Sequence, residues 1–377
     1  MFFYWSIWFF FLLLSILWKD KHNIDKFNYY LLLLFLVIMA LITGGRDSVG
    51  SDWASYKALY LWGVSEAGME IDEIDPLYRL SIIAGRSVGL SYGMFCFVIS
   101  LLSLWAFWLT IKIAKVKNCW LAFLVYLSLV FCYYQFNIVR HGVMSSFVLL
   151  GMVLVARYYN KNKEVRKKEG KITYKDLLLG VISIVVGAGF HSSGLMFLLF
   201  VPFIHRRLSN FSLWLIVVLG FGLYFLHAND LVELAMKYLF VSTRYENYLD
   251  TSRWSDAQLT IGTLGKVFIF LYAYYGNGKL YKENILYRQS VNLLLFALFF
   301  SVAFSEYGIV VNRLGNTMAL SLAIVLPYLS YYSNKGELMH FAVNTVIYIY
   351  LGLYYPTSFM DRNMLPFTFE ISNLFSN

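Results

Sequence analysis

Four short polar groups interrupt a chain that is otherwise strongly apolar. Their residue types set the range of reactions open to it. The first is GGRDSVGSDWASY, Gly44 to Tyr56: Arg46 follows two glycines, Gly50 permits a tight backbone path, and Asp52 and Tyr56 are i, i+4 neighbours on one helical face. The second is FNIVRHG, Phe136 to Gly142, where Asn137, Arg140 and His141 meet between two apolar runs and no acid is near Arg140 in sequence. The third, GAGFHSSG from Gly187 to Gly194, breaks a long apolar run and puts His191, Ser192 and Ser193 at the break. The fourth, SEYGIVVNRLGN from Ser305 to Asn316, carries Glu306, Asn312 and Arg313.

These residue types suit the handling of an anion and of a proton. An arginine at an apolar boundary wants an anion, and its planar fork fits a pair of phosphate or pyrophosphate oxygens better than an ammonium does. A histidine between glycines at a helix break is a candidate proton acceptor near neutral pH. Each group also has a plainer reading. Arg46 can be a loop-surface residue, Arg140 can snorkel to lipid headgroups, His191 can be a satisfied core histidine, and Glu306 with Arg313 can form a structural ion pair. No GxxxxGK[ST], HExxH or CxxC motif occurs, and Cys96, Cys119 and Cys132 lie in apolar stretches without metal-type spacing. Metal-free chemistry without a cofactor is therefore expected.

Membrane helices must hold these residues. The chain is 59% hydrophobic and 14% charged, where a soluble domain carries about 25% charged residues, and its mean hydropathy is +0.61. Aromatics reach 19%, and tyrosine and tryptophan settle at membrane interfaces. The net charge of +9 is spread over short loops rather than a soluble basic face, so nucleic acid is not an expected partner. Apolar runs fall at about 1–18, 28–44, 91–111, 119–136, 141–156, 176–190, 192–204, 211–227, 261–275, 288–305, 309–330 and 339–355, judged against roughly 20 residues per span. The expected fold is all-α and polytopic, with about 12 transmembrane helices in a single membrane domain over 1–377. Residues 1–18 lack a basic n-region and a cleavage site and read as a retained first helix. Residues 77–90, interrupted by Arg79 and Arg86, fit either an interfacial helix or part of a span.

Lysine and arginine mark the cytoplasmic side. Alternate loops hold 20 of the 31 basic residues, the densest being 157–175. The intervening set includes loops 45–79 and 228–260, which carry seven acids against three bases and five against three. Those two loops are expected outside, with both termini, and the four polar groups fall on that outer side.

The order G-R-D-x-x-G-x-D-x-x-x-Y (Gly45 to Tyr56), N-x-V-R-H (Asn137 to His141) and F-H-S-S (Phe190 to Ser193) resembles the EpsG and Wzy-type polysaccharide polymerases of bacterial envelopes, over roughly residues 40–330. Members often carry a glutamate before an aromatic where this chain has Asp75, Pro76, Leu77 and Tyr78. The resemblance implies an inverting, metal-independent glycosyltransferase with a GT-C-like bundle in the bacterial inner membrane. It would join undecaprenyl-pyrophosphate-linked oligosaccharide repeat units on the periplasmic face, among membrane lipids and beside a chain-length regulator and flippase of the same pathway. Within that frame His191, or else Asp52, serves as base. Arg140 with Arg313 or Arg46 stabilises the pyrophosphate leaving group. Trp53, Tyr56 and Tyr78 contact sugar, and Asn137, His141 and Ser192 complete the substrate site. An O-antigen ligase needs nearly the same cluster. A lipid-linked oligosaccharide flippase would place its polar features near the midplane, and an outer-face acyltransferase would use His191.

Overall fold

In an apolar solvent every backbone N–H and C=O must find its partner inside the chain, and helices do this locally. The computed structural model describes residues 1–17, 26–66, 68, 70–167, 173–225, 261–305, 311–332, 337–360 and 364–375. Among them there is no strand, only isolated bridges between Arg46 and Phe369 and between Val64 and Glu70. The α-helices are α1 (Phe2–Leu17), α2 (Lys26–Gly44), α3 (Trp53–Trp62), α4 (Pro76–Ser87), α5 (Tyr92–Ala114), α6 (Cys119–Tyr126), α7 (Val139–Lys167), α8 (Lys175–Phe190), α9 (Asn210–Phe225), α10 (Ile261–Leu271), α11 (Gly278–Glu283), α12 (Ile285–Ala303), α13 (Asn316–Ala319), α14 (Leu322–Tyr332) and α15 (Glu337–Tyr354).

Twelve spans are expected from the apolar runs, and among the described residues six helices are long and apolar enough to cross: Phe27–Gly44, Tyr92–Ala114, Val139–Lys163, Ile285–Ala303, Arg313–Tyr332 and Leu338–Thr357. The other runs are helical but shorter. The 16 residues of α8 reach about 24 Å at 1.5 Å each. Ser192–Phe200 is a nine-residue 3₁₀ helix, covering roughly 18 Å of an apolar core about 30 Å thick. The 12-residue α4 is too short to span. It buries Tyr78 and Ile82 and leaves Leu80 and Ile83 exposed, the pattern of an interfacial helix. Loop 228–260 and Glu306 lie outside the described residues, as does 168–172 of the basic loop.

The central helix is α7, which is buried along nearly all of its apolar span. It packs on α5 and α8, and the α7–α8 contact closes at glycines: a Cβ added to Gly151 would come within 2.6 Å of the Gly180 carbonyl oxygen, and one on Gly180 within 2.8 Å of that of Gly151. Small residues let helix backbones meet in lipid, where apolar side chains gain nothing from leaving the solvent. Below this crossing Asp176 pairs with Arg157 at 3.3 Å and Lys161 at 2.7 Å. The opposite ends of α7 and α8 carry the second and third motifs; the first runs from the end of α2 into α3, and the C-terminal residues 364–375 reach it through the Glu370 amide, which donates to the Gly45 carbonyl at 2.9 Å.

Candidate active site

Two motifs far apart in sequence lock together first. Gly50 has φ +102°, and a Cβ there would stand 2.2 Å from the Phe136 carbonyl oxygen, so only glycine fits on both counts. That approach puts Asn137 against the next residues: its Oδ1 accepts from the Ser51 hydroxyl at 2.8 Å and the Asp52 amide at 2.9 Å. Asn137 therefore fixes the start of α3, with Asp52 at the N-cap position and Tyr56 one turn on. Residues Tyr133–Asn137, which run into the second motif, and Val311–Gly315, which carries Arg313, are both wound as π-helix. Such wide turns are frequent at functional sites.

A cavity of about 200 Å³ lies between these elements, lined by Asp52, Ser55, Tyr56, Leu59, Ser65, Ile138, Arg140, His141, His191 and Arg313. Four of the five ionisable side chains expected to act, Asp52, Arg140, His191 and Arg313, thus come from four separate places in the sequence and share one space. Arg140 is held on two sides. Its Nη1 donates to Asp75 Oδ2 at 3.1 Å and its Nε to the Tyr56 hydroxyl at 3.3 Å, and its Cζ lies 5.8 Å from the ring centres of both Tyr56 and Tyr78. Asp75 turns its other oxygen, Oδ1, to the Ser192 amide at 3.0 Å. One carboxylate at the start of α4 thereby ties the second motif to the third.

The two histidines meet edge to face with ring centres 5.1 Å apart. The Ser193 amide donates to His191 Nδ1 at 3.4 Å and the Ser193 hydroxyl lies 2.9 Å from the same nitrogen. An amide can only donate, so the neutral His191 ring carries its proton on Nε2. Thr317 donates its hydroxyl to the Arg313 carbonyl at 2.7 Å, so at 3.1 Å it accepts from His141 Nε2, leaving Nδ1 as the basic nitrogen of that ring.

Some expected residues stand elsewhere. Arg46 is 2% exposed and donates to the carbonyls of Thr43 and Val49, with its guanidinium 5.7 Å from the Phe136 ring centre. It and Trp53 border a second, smaller cavity. Tyr78 lies behind Arg140 rather than in the cavity, and Ser192 takes part through its backbone amide. The residue that sequence reasoning underrated is Asp75. It is one of seven acids in its loop and lies 65 positions from Arg140, and its signals were the Asp-Pro pair that begins a helix and its place where the resembling family often carries a glutamate before an aromatic. Among the described residues no group of three or more His, Cys, Asp or Glu converges as a metal-binding set.

A family model described as the EpsG family matches residues 28–369, nearly the whole chain. It spans all three motifs and runs into the C-terminal segment that covers them. No curated protein and no solved structure matches.

Proposed function

The chain belongs to the EpsG family, and from that premise we propose that it polymerises undecaprenyl-pyrophosphate-linked oligosaccharide repeat units into surface polysaccharide on the outer face of the bacterial cytoplasmic membrane. The observation that carries this reading is the convergence of three dispersed motifs on one cavity rich in cations and proton carriers. A transporter gathers its polar groups at the membrane midplane, whereas these gather at one end of the bundle.

In the proposed reaction a sugar hydroxyl of the incoming unit attacks the anomeric carbon of the growing glycan from the face opposite the pyrophosphate. The new C–O bond forms as the glycosyl–pyrophosphate bond breaks, the configuration inverts, and the bonding pair leaves on the pyrophosphate oxygen. Arg140 and Arg313 balance the charge that builds there, as fixed cations do for other departing phosphates, and no metal ion is required. The hydroxyl proton passes to a base, Asp52 or His191. Asp52 is supported by its place on the cavity wall, with its backbone amide donating to Asn137 Oδ1 and its carboxylate 3.2 Å from the Ser51 hydroxyl. His191, with Nδ1 engaged by Ser193, is better disposed to donate from Nε2 to the leaving oxygen.

Purified protein given lipid-linked repeat units in EDTA tests both parts, with chain length read on a gel. The wild type elongates. Asp52→Asn loses about 10² to 10⁴ in rate, the usual worth of a general base, and His191→Ala loses less. Abolition of wild-type activity by EDTA sinks the metal-independent reaction, and normal elongation by Asp52→Asn with failure of His191→Ala restores His191 as the base.

A further inference from the structure

Another face of α3 borders a second cavity of about 120 Å³, walled by Arg46, Trp53, Lys57, Tyr92 and Asn373. Its donors are poorly matched from within the chain. Arg46 uses Nε and Nη1 on backbone carbonyls, but its buried Nη2 has no hydrogen-bond partner among the described residues, and neither has the buried Nδ2 of Asn373. No ion pair of Arg46 or Lys57 occurs among the described residues. A buried guanidinium edge without an acceptor costs free energy that an incoming anion would return. Beside the cations stand two aromatic faces: Lys57 Nζ lies 4.9 Å from the Trp53 ring centre, and Tyr92 meets Trp53 edge-on at 5.9 Å. The far wall is built by the C-terminal segment, packed so closely that a Cβ on Gly93 would come within 2.0 Å of the Asn373 carbonyl oxygen.

We infer that this cavity is a subsite for an acidic sugar, with the carboxylate of a uronic acid set against Arg46 and Lys57 and the ring edge against Trp53 and Tyr92. Two cations together ask for an anion, and the guanidinium edge suits the planar oxygens of a carboxylate. Indole and phenol faces suit the C–H surface of a pyranose, and the Asn373 amide suits a sugar hydroxyl. The space holds the carboxylate end of one such sugar and not a whole repeat unit. The inference leans on the polymerase reading only in naming a glycan as the source of the carboxylate. It makes this side of α3 a selector for acidic repeat units.

The test uses the full chain in zwitterionic nanodiscs without lipid-linked substrate, titrated with D-glucuronate, D-glucose and inorganic phosphate. Glucuronate should bind at least about tenfold tighter than either of the others. Lys57→Gln should weaken it about tenfold and Arg46→Gln should abolish it, since each removes a charge-assisted contact, while Arg79→Gln on the neighbouring α4 leaves it unchanged. Arg46 also ties backbone carbonyls, so a misfolded Arg46→Gln leaves the half-exposed Lys57→Gln to decide. Equal affinity for glucose, wild-type affinity in Lys57→Gln, or phosphate binding as tight as glucuronate would each overturn the inference, the last pointing to lipid headgroups. Because no turnover is involved, failure of the polymerase reading leaves this result standing, and failure here leaves elongation untouched.

Discussion

Replacing Asp75 by asparagine asks whether Arg140 must be aimed as well as present. The Arg140–Asp75 pair is 15% and 11% exposed at its side chains, and stripping one partner from a buried pair costs about 3–5 kcal/mol. Asparagine keeps the volume and one acceptor, and Arg140 keeps the Tyr56 hydroxyl, so the lower figure, about 3 kcal/mol of stability, is expected. The loss of aim is a separate effect. A displacement of the guanidinium by 1 Å is worth about 10²-fold in rate, or about 2.7 kcal/mol on the barrier. It should fall on kcat rather than KM, because the charge Arg140 meets is greatest in the transition state. Elongation by purified Asp75→Asn, Arg140→Lys and the double variant, each checked for folding by thermal unfolding in detergent, forms a double-mutant cycle. If Asp75 acts through Arg140, adding Asp75→Asn to Arg140→Lys costs less than a further factor of about two to three, near 0.5 kcal/mol. A full hundredfold loss in both backgrounds would give Asp75 a task of its own, and a wild-type rate in Asp75→Asn would refute the positioning argument.

Arg140→Lys keeps the charge but loses the fork, so glycan elongation should collapse while membrane insertion stays normal. Near-normal polysaccharide length in cells carrying it would return Arg140 to a headgroup contact. Gly50→Ala meets both a positive φ and the Phe136 carbonyl at 2.2 Å. It should cost about 2 kcal/mol or more, seen as a lowered unfolding midpoint, and an unchanged midpoint would mean that the first two motifs do not dock as described. A cysteine replacing Asp72 should react with an impermeant thiol reagent on intact cells and one replacing Lys163 should not, whereas the reverse pattern would move the cavity to the cytoplasmic side.

The apolar composition and the continuous apolar runs were enough to make the chain a helical, multi-pass membrane protein, because lipid admits only helices and closed barrels, and barrel strands alternate apolar and polar residues over about ten positions instead of running apolar throughout. The ordered motifs from Gly45 to Tyr56, Asn137 to His141 and Phe190 to Ser193 likewise carried the family, since each is a run of adjacent residues. The number of full spans was not legible. An apolar run such as 192–204 has the same composition whether it winds as an α-helix or, as here, largely as a shorter 3₁₀ helix, and packing decides between them. The partners of the charged side chains were not legible either. The Asp-Pro pair marks Asp75 as the start of a helix but not as the partner of Arg140, and nothing local separates Arg46, turned to backbone carbonyls and a second cavity, from Arg140 and Arg313 in the first. Pairing across 65 residues depends on how α4, α7 and α8 close on one another, and that closure is set by glycine contacts and π-turns whose effect exists only in three dimensions.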